Sequence, residues 1–89
     1  PHISYAGIEA IVHQQTKYTA VSGTAALKAA IAAKFARDNQ LRYRPEEIIA
    51  GSGAKQLIFN AFLATLDAGQ QVIIPAPYWV SYPDMVSLA

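Results

Sequence analysis

The sequence predicts an α/β fold, a strand–helix–strand (βαβ) unit preceded by helices, and three observations carry that prediction. "EEIIAGSGAKQLIFNAF", residues 46–62, passes from a short apolar run through two glycines into a long apolar helical pattern. Val72, Ile73 and Ile74 follow one another without polar alternation, the pattern of a parallel strand covered on both faces. Between these two runs, Leu57, Ile58, Phe59, Phe62, Leu63 and Leu66 wrap most of a helix circumference. Such a helix belongs inside a layered protein, because a small domain has no second layer to cover its outer side.

Each element follows in order. Pro1 can open a helix whose small and apolar positions, Ile3, Ala6, Gly7, Ala10 and Ile11, recur at helical spacing as far as about His13. "QQTKYTAVSG" is a polar and β-branched connector ending in a turn. Thr24 offers a hydroxyl N-cap for a helix over 25–39, where Leu27, Ile31 and Phe35 form one stripe in an alanine-rich run. Asn39 is the residue expected to take the left-handed conformation that stops it. "RYRPEE" is a turn, with Pro45 fixing its own φ and steering Arg44 away from helical geometry. A short buried strand is expected at 48–50, a helix at 54–66 closed by Asp67-Ala68-Gly69, a strand at 71–74 bounded by Pro75, and a last helix from Ser81.

Composition narrows the function classes. The chain has 89 residues, of which 53% are hydrophobic and 15% charged, an apolar share above and a charged share below those of ordinary soluble domains. A domain of this size buries only about 60% of its unfolded surface, and two strands do not make an independent parallel sheet. A piece of a longer chain is therefore expected. The net charge of +1, with no basic run, points to neither nucleic acid nor an anionic membrane as partner. No apolar stretch reaches the roughly 18 residues of a membrane span. The lack of cysteine excludes a disulfide framework and fits a reducing, cytoplasmic setting. His2 and His13 have no carboxylate or cysteine at ligand spacing, so no metal site is expected. Glu46 and Glu47 read as a solvated turn, and Arg42 and Arg44 as surface cations.

The glycine hinge is the first candidate site. A strand ending at a helix N-terminus presents unpaired N–H groups and about half a positive charge from the aligned peptide dipoles. Gly51 and Gly53 permit a sharp bend and close approach of an anion, Ser52 adds a hydroxyl and Lys55 a cation, so the place suits a phosphate. The same glycines serve equally as a tight strand-to-helix turn. Two sharper motifs are excluded by spacing. The nucleotide P-loop needs four residues between its first glycine and Gly-Lys-Ser/Thr, and the dinucleotide fingerprint needs a small residue where Gln56 stands and an acid where Pro75 stands.

"IIPAPYWVSYP", residues 73–83, is the second. Its prolines stiffen a loop that carries Tyr78, Trp79 and Tyr82 at the carboxyl end of a strand, where open parallel sheets bind ligands. An indole fixed there can stack on a flat heteroaromatic ring, worth about 0.5 to 1.5 kcal/mol beyond simple burial. An aromatic lid packed on the core is the competing reading. A phosphate site and an aromatic platform at successive strand ends together suit a phosphorylated planar cofactor.

"TKYT", "GSGAKQLIFNAF" and "VIIPAPYWVSYPDMV" closely resemble, in order and spacing, segments of the class I aminotransferases, the fold type I pyridoxal-phosphate enzymes, and in particular their bacterial aspartate aminotransferase branch. The resemblance covers nearly the whole chain but only an early part of such an enzyme. It implies part of a three-layer large domain over 1–89, pyridoxal 5′-phosphate as cofactor, amino-acid and 2-oxo-acid substrates, and a homodimer. The implied reaction is ping-pong amino transfer from aspartate to 2-oxoglutarate through an imine. Gly53, Ala54 and Lys55 match the segment that holds the cofactor phosphate. Trp79 matches the residue that stacks on the pyridine ring and shapes the substrate pocket. Tyr18 matches the tyrosine that reaches across a dimer interface to the partner's phosphate.

The resemblance places the imine lysine, and the other groups that act on the cofactor ring and the substrate carboxylate, outside these residues. None of Lys17, Lys28, Lys34 and Lys55 stands in the imine-lysine context, so the chain alone is expected to be inactive. Two departures are visible: Gln40 where the family usually has glycine, and Gln70-Gln71 where it usually has an Asp-Glu pair. They bear on turn geometry rather than on the site. A non-catalytic βαβ module binding phosphate or nucleotide, and an aminotransferase for aromatic or branched amino acids, are the alternatives.

Overall fold

In the computed structural model, which describes every residue from Pro1 to Ala89, four helices follow in the order α1 (His2–Val12), α2 (Ala25–Asn39), α3 (Ala54–Thr65) and α4 (Ser81–Leu88). A single 3₁₀ turn, Pro45–Glu47, lies between α2 and α3. Thr24 caps α2 as its sequence predicts: the Thr24 side-chain oxygen accepts from the Leu27 N–H at 3.2 Å. α1 ends in a Schellman arrangement, in which the Gln15 N–H donates to the Ala10 carbonyl and the Gln14 N–H to that of Ile11, with Gln14 at φ 55°.

The strands expected at 48–50 and 71–74 do not form. Ile48 has extended backbone angles, φ −118° and ψ 130°, but a strand exists only through a neighbour's ladder of hydrogen bonds. Segment 48–50 makes one such link, from the Ala50 N–H to the Ser22 carbonyl at 2.9 Å, and segment 71–74 makes none. The two runs have the composition of parallel strands without a third element placed to pair with them. The fold seen in these 89 residues is accordingly helical, and the α/β class is not realised within them.

Three smaller corrections have local causes. Asn39 is the last residue of α2, and the left-handed stop falls on Gln40 at φ 57° and ψ 26°. That is the position where glycine is usual in the family resembled, and the conformation explains the preference. α3 stops at Thr65 rather than Leu66, whose extended angles already belong to the turn closed by Asp67 and Gln70. Tyr82 is the second residue of α4, not part of the loop before it. Pro83 beside it is tolerated because the N–H it lacks would have no partner in the first turn of a helix.

Packing is confined to two small clusters. Phe35 of α2 meets Tyr43 edge-on, with ring centroids 5.8 Å apart and planes at 66°, and Ile31 and buried Ile48 complete that group. The second lies between α3 and α4, where Met85 is buried and Ile58, Phe62, Val72, Ile74 and Tyr82 line a shared groove. Ile48 and Met85 are the only buried residues. The accessible surface is 7765 Å², against about 5,100 Å² for a compact monomer of this mass, and the radius of gyration is 16.5 Å against about 12 Å. Ile73 is 93% exposed and α1 packs on no other helix, so Ile3, Ile8, Ile11 and Val12 all face outward.

Removing the Thr24 cap and relieving Gln40 should shift stability in opposite directions. In urea unfolding of the full-length protein, Thr24→Ala should cost about 1 kcal/mol through the lost cap. Gln40→Gly should gain up to about 1 kcal/mol by removing a side chain from the left-handed region. A neutral or destabilising Gln40→Gly would show that the residue is not strained there.

Candidate functional site

The hinge is built by backbone conformation. Gly51 sits so close to α3 that a Cβ on it would lie 2.7 Å from Leu57 Cδ2. Gly53 adopts φ 100° and ψ 151°, a region side chains rarely enter, and no atom lies within 4 Å of where its Cβ would stand. The two glycines therefore serve different ends: one admits the helix to the segment before it, the other turns the chain and leaves open space on the outside of the turn.

The first turn of α3 faces that space with its donors free. Leu57 N–H donates to the Gly53 carbonyl at 3.3 Å, while the N–H groups of Ala54, Lys55 and Gln56 have no backbone acceptor. Gln56, weighed from the sequence only against the dinucleotide fingerprint, proves structural here. The Gln56 carboxamide oxygen accepts from the Ser52 N–H at 2.8 Å and ties the turn to the helix it precedes. A glutamine at the third helical position is the signature of such a reach-back, so the signal was present in the sequence.

Trp79 comes to the same place from the other end of the chain. Its carbonyl accepts from the Tyr82 N–H at 3.0 Å, which holds it in the turn immediately before α4. The Lys55 ammonium lies 5.6 Å from the centroid of the Trp79 ring, a cation–π arrangement worth about 0.5 to 1 kcal/mol at an exposed site. Trp79 remains 59% exposed and so keeps open ring surface. The Ala76–Pro77 peptide in the same loop is cis. Gly53, Ala54, Lys55 and Trp79 are thus neighbours, whereas Tyr18 is not drawn into the group. It is 109% exposed in the connector over Thr16–Val21, and nothing in the chain packs on it.

Lys28, Lys34, Arg37 and Arg44 are engaged locally. Lys28 Nζ donates to Ser22 Oγ at 3.2 Å and Lys34 Nζ to Asn39 Oδ1 at 2.7 Å. Arg44 is the surface cation expected, and its exposed guanidinium also pairs with Glu47 at 3.3 Å. The Glu47 carboxylate also accepts from the Arg44 backbone N–H at 2.8 Å. That backbone bond, and after it the guanidinium, holds the Glu47 carboxyl below its ordinary 4.5.

With this geometry in hand, comparison with known proteins is decisive. The family model "Aminotransferase class I and II" matches residues 2–89. The chain belongs to that family. The aspartate/prephenate aminotransferase of Nitrosomonas europaea is 60% identical over 88 residues, covering 99% of this chain and 22% of that protein. The probable aspartate/prephenate aminotransferase of Rhizobium leguminosarum bv. phaseoli is 59% identical over 98% of this chain and 22% of its own length. The aspartate aminotransferase of Rhizobium meliloti strain 1021 is 52% identical over 98% and 21% respectively. The chain therefore spans only about a fifth of the length of these relatives. Family membership supports the fold type I assignment made from sequence, although the sheet of that fold is not formed here.

The residues at the hinge fit a phosphate ester joined to a flat ring. Three unpaired amides, one ammonium and an open glycine turn are the donors an oxyanion needs, and an exposed indole lies beside them. No helix is long and apolar enough to cross a membrane.

The electrostatics of the 3₁₀ turn are open to direct test. Glu47 should titrate below 4.5 in an NMR pH series, and its stabilising contribution, full above that value, should disappear as pH falls through the lowered one. Because the backbone N–H is the larger cause, Arg44→Ala should preserve most of the depression; a complete return to 4.5 would reverse that ranking.

Proposed function

We propose that these 89 residues form the early part of the large, cofactor-binding domain of a pyridoxal-phosphate-dependent aminotransferase. The amino group moves between aspartate and 2-oxoglutarate, and prephenate serves as a further acceptor. One observation carries the reading: Lys55, at the donor-rich start of α3, lies over the ring of Trp79, so an anion site and an aromatic platform adjoin. Family membership and the names borne by the relatives from Nitrosomonas europaea and Rhizobium leguminosarum support amino transfer involving aspartate and prephenate, while 2-oxoglutarate rests on the sequence resemblance alone.

Bound pyridoxal phosphate supplies an aldehyde that takes an amino group from one substrate and returns it to the next. The residues of this chain bind and orient. The amides of Ala54, Lys55 and Gln56 hold the phosphate, with the Lys55 ammonium balancing its charge. Gly53 lets the backbone come close to it. Trp79 covers one side of the ring, keeping water from it, and borders the substrate. Tyr18, wholly exposed in its connector, is free to reach the phosphate site of a second copy, which requires a homodimer. Segments 48–50 and 71–74 take their places in a parallel sheet of the complete domain, giving the three-layer α/β architecture and the βαβ unit. The reading carries with it the cytoplasmic setting expected from the sequence.

In the full-length enzyme, Gly53→Ala should weaken pyridoxal phosphate binding by roughly tenfold, because the new side chain meets an unfavourable φ. Trp79→Ala should weaken it by about two- to tenfold through the lost stack. Spectroscopic titration with the cofactor measures both, and transfer from aspartate to 2-oxoglutarate and to prephenate tests the substrates. Unchanged affinity in both variants would favour a phosphate- or nucleotide-binding module instead. Residues 1–89 alone should transfer no amino group; turnover by them would contradict the assignment of the imine lysine to another part of the enzyme.

A further inference from the structure

Only one backbone hydrogen bond in the chain joins residues far apart in sequence: the Ala50 N–H donates to the Ser22 carbonyl at 2.9 Å. It links the end of the Tyr18 connector to the residue immediately before the glycine hinge. Two further features hold the same spot. Gly23 adopts φ 102°, and a Cβ on it would lie 2.9 Å from the Ala50 Cβ, so only glycine permits the approach without displacement. The Lys28 ammonium donates to Ser22 Oγ at 3.2 Å, part-buried, fixing the turn to the first turns of α2.

We propose that the Ser22–Gly23 turn is a positioning latch, which sets the connector bearing Tyr18 against the hinge bearing Gly53 and so gives the two phosphate-side elements one fixed relation. The inference rests on the cofactor reading for its functional consequence, but not for its mechanics. Tyr18 lies four residues before Ser22, and Gly53 three after Ala50, so one hydrogen bond governs both short arms. Ser22 and Gly23 touch no cofactor in this scheme; they act through the backbone they hold. A loosened latch leaves each arm intact and lets their separation vary.

Hydrogen exchange and cofactor titration on the full-length enzyme separate the possibilities. In Gly23→Ala, peptides covering 20–23 and 50–53 should both exchange faster, while α3 and α4 keep their protection, and cofactor affinity should fall roughly tenfold. Adding Ala50→Gly to that variant should restore part of the protection by making room for the new methyl group. Lys28→Met, which removes only the outer tie, should move both segments in the same direction by a smaller amount, and it serves if Gly23→Ala does not fold. Faster exchange of one segment without the other, or unchanged exchange in both variants, would overturn the latch. Coupled loosening with wild-type cofactor affinity would leave a purely structural contact and overturn the positioning role. Failure of the unmutated enzyme to bind pyridoxal phosphate would instead refute the cofactor reading, with the exchange data still deciding the mechanics.

Discussion

The bond from the Ala50 N–H to the Ser22 carbonyl is the constraint on which the arrangement of this chain turns. Its net worth is only about 1 kcal/mol, so it cannot hold the fold by energy. It acts by register. The α2 cluster around Ile31, Phe35 and Tyr43 and the α3–α4 cluster around Phe62 and Met85 share no side-chain core, and segment 48–50 runs between them. Pinning that segment at Ala50 decides where the Gly51–Gly53 bend begins, and hence which way the free amides of α3 point.

The surplus of apolar surface has the same origin as the missing strands. Helix hydrogen bonds run between residues four apart, so each of the four helices finds its backbone partners within its own segment. A sheet needs neighbours, and burial needs a second layer. Ile73 stands in a run built to be covered on both faces, and only the face of Val72 and Ile74 meets α3 and α4, leaving Ile73 bare. On the reading proposed above, the same residues that overburden this chain would become the central layer of a complete aminotransferase large domain. The excess area is then the imprint of a larger assembly on one of its parts, consistent with a chain that spans about a fifth of its relatives.

What the sequence disclosed follows this division between local and distant causes. α2 was legible from end to end because Thr24 caps it and alanine fills it, both properties of neighbouring residues. The hinge was legible because glycines at 51 and 53 have few other uses between two apolar runs. The stop at Gln40 was misplaced by one residue, since asparagine is the better left-handed former and composition alone favoured Asn39. The contact of Lys55 with Trp79 could be anticipated only by asking what single ligand would want both, for no periodicity connects positions so far apart. Gly23 escaped notice as one more turn glycine, and its demand for space became visible only once Ala50 was beside it.

The Lys55–Trp79 contact also bears on how such a site changes when it fills. At an exposed indole the ammonium gains about 0.5 to 1 kcal/mol, whereas a hydrogen bond to a charged partner contributes about 1.5 to 3 kcal/mol. On the cofactor reading proposed above, a phosphate at the first turn of α3 would therefore outcompete the ring for Lys55. The dipole of α3 reinforces the preference, because its field is strongest within that first turn. As the ammonium turns toward the anion it uncovers the face of Trp79 that it had occupied, and that face becomes available to a flat ring carried by the same ligand. The two halves of the site are in this way coupled through one flexible side chain: binding the charged end prepares the aromatic end. Nothing in the backbone has to move for this to happen, which is why the fixed bend at Gly53 and the fixed turn at Trp79 matter more than the resting position of Lys55.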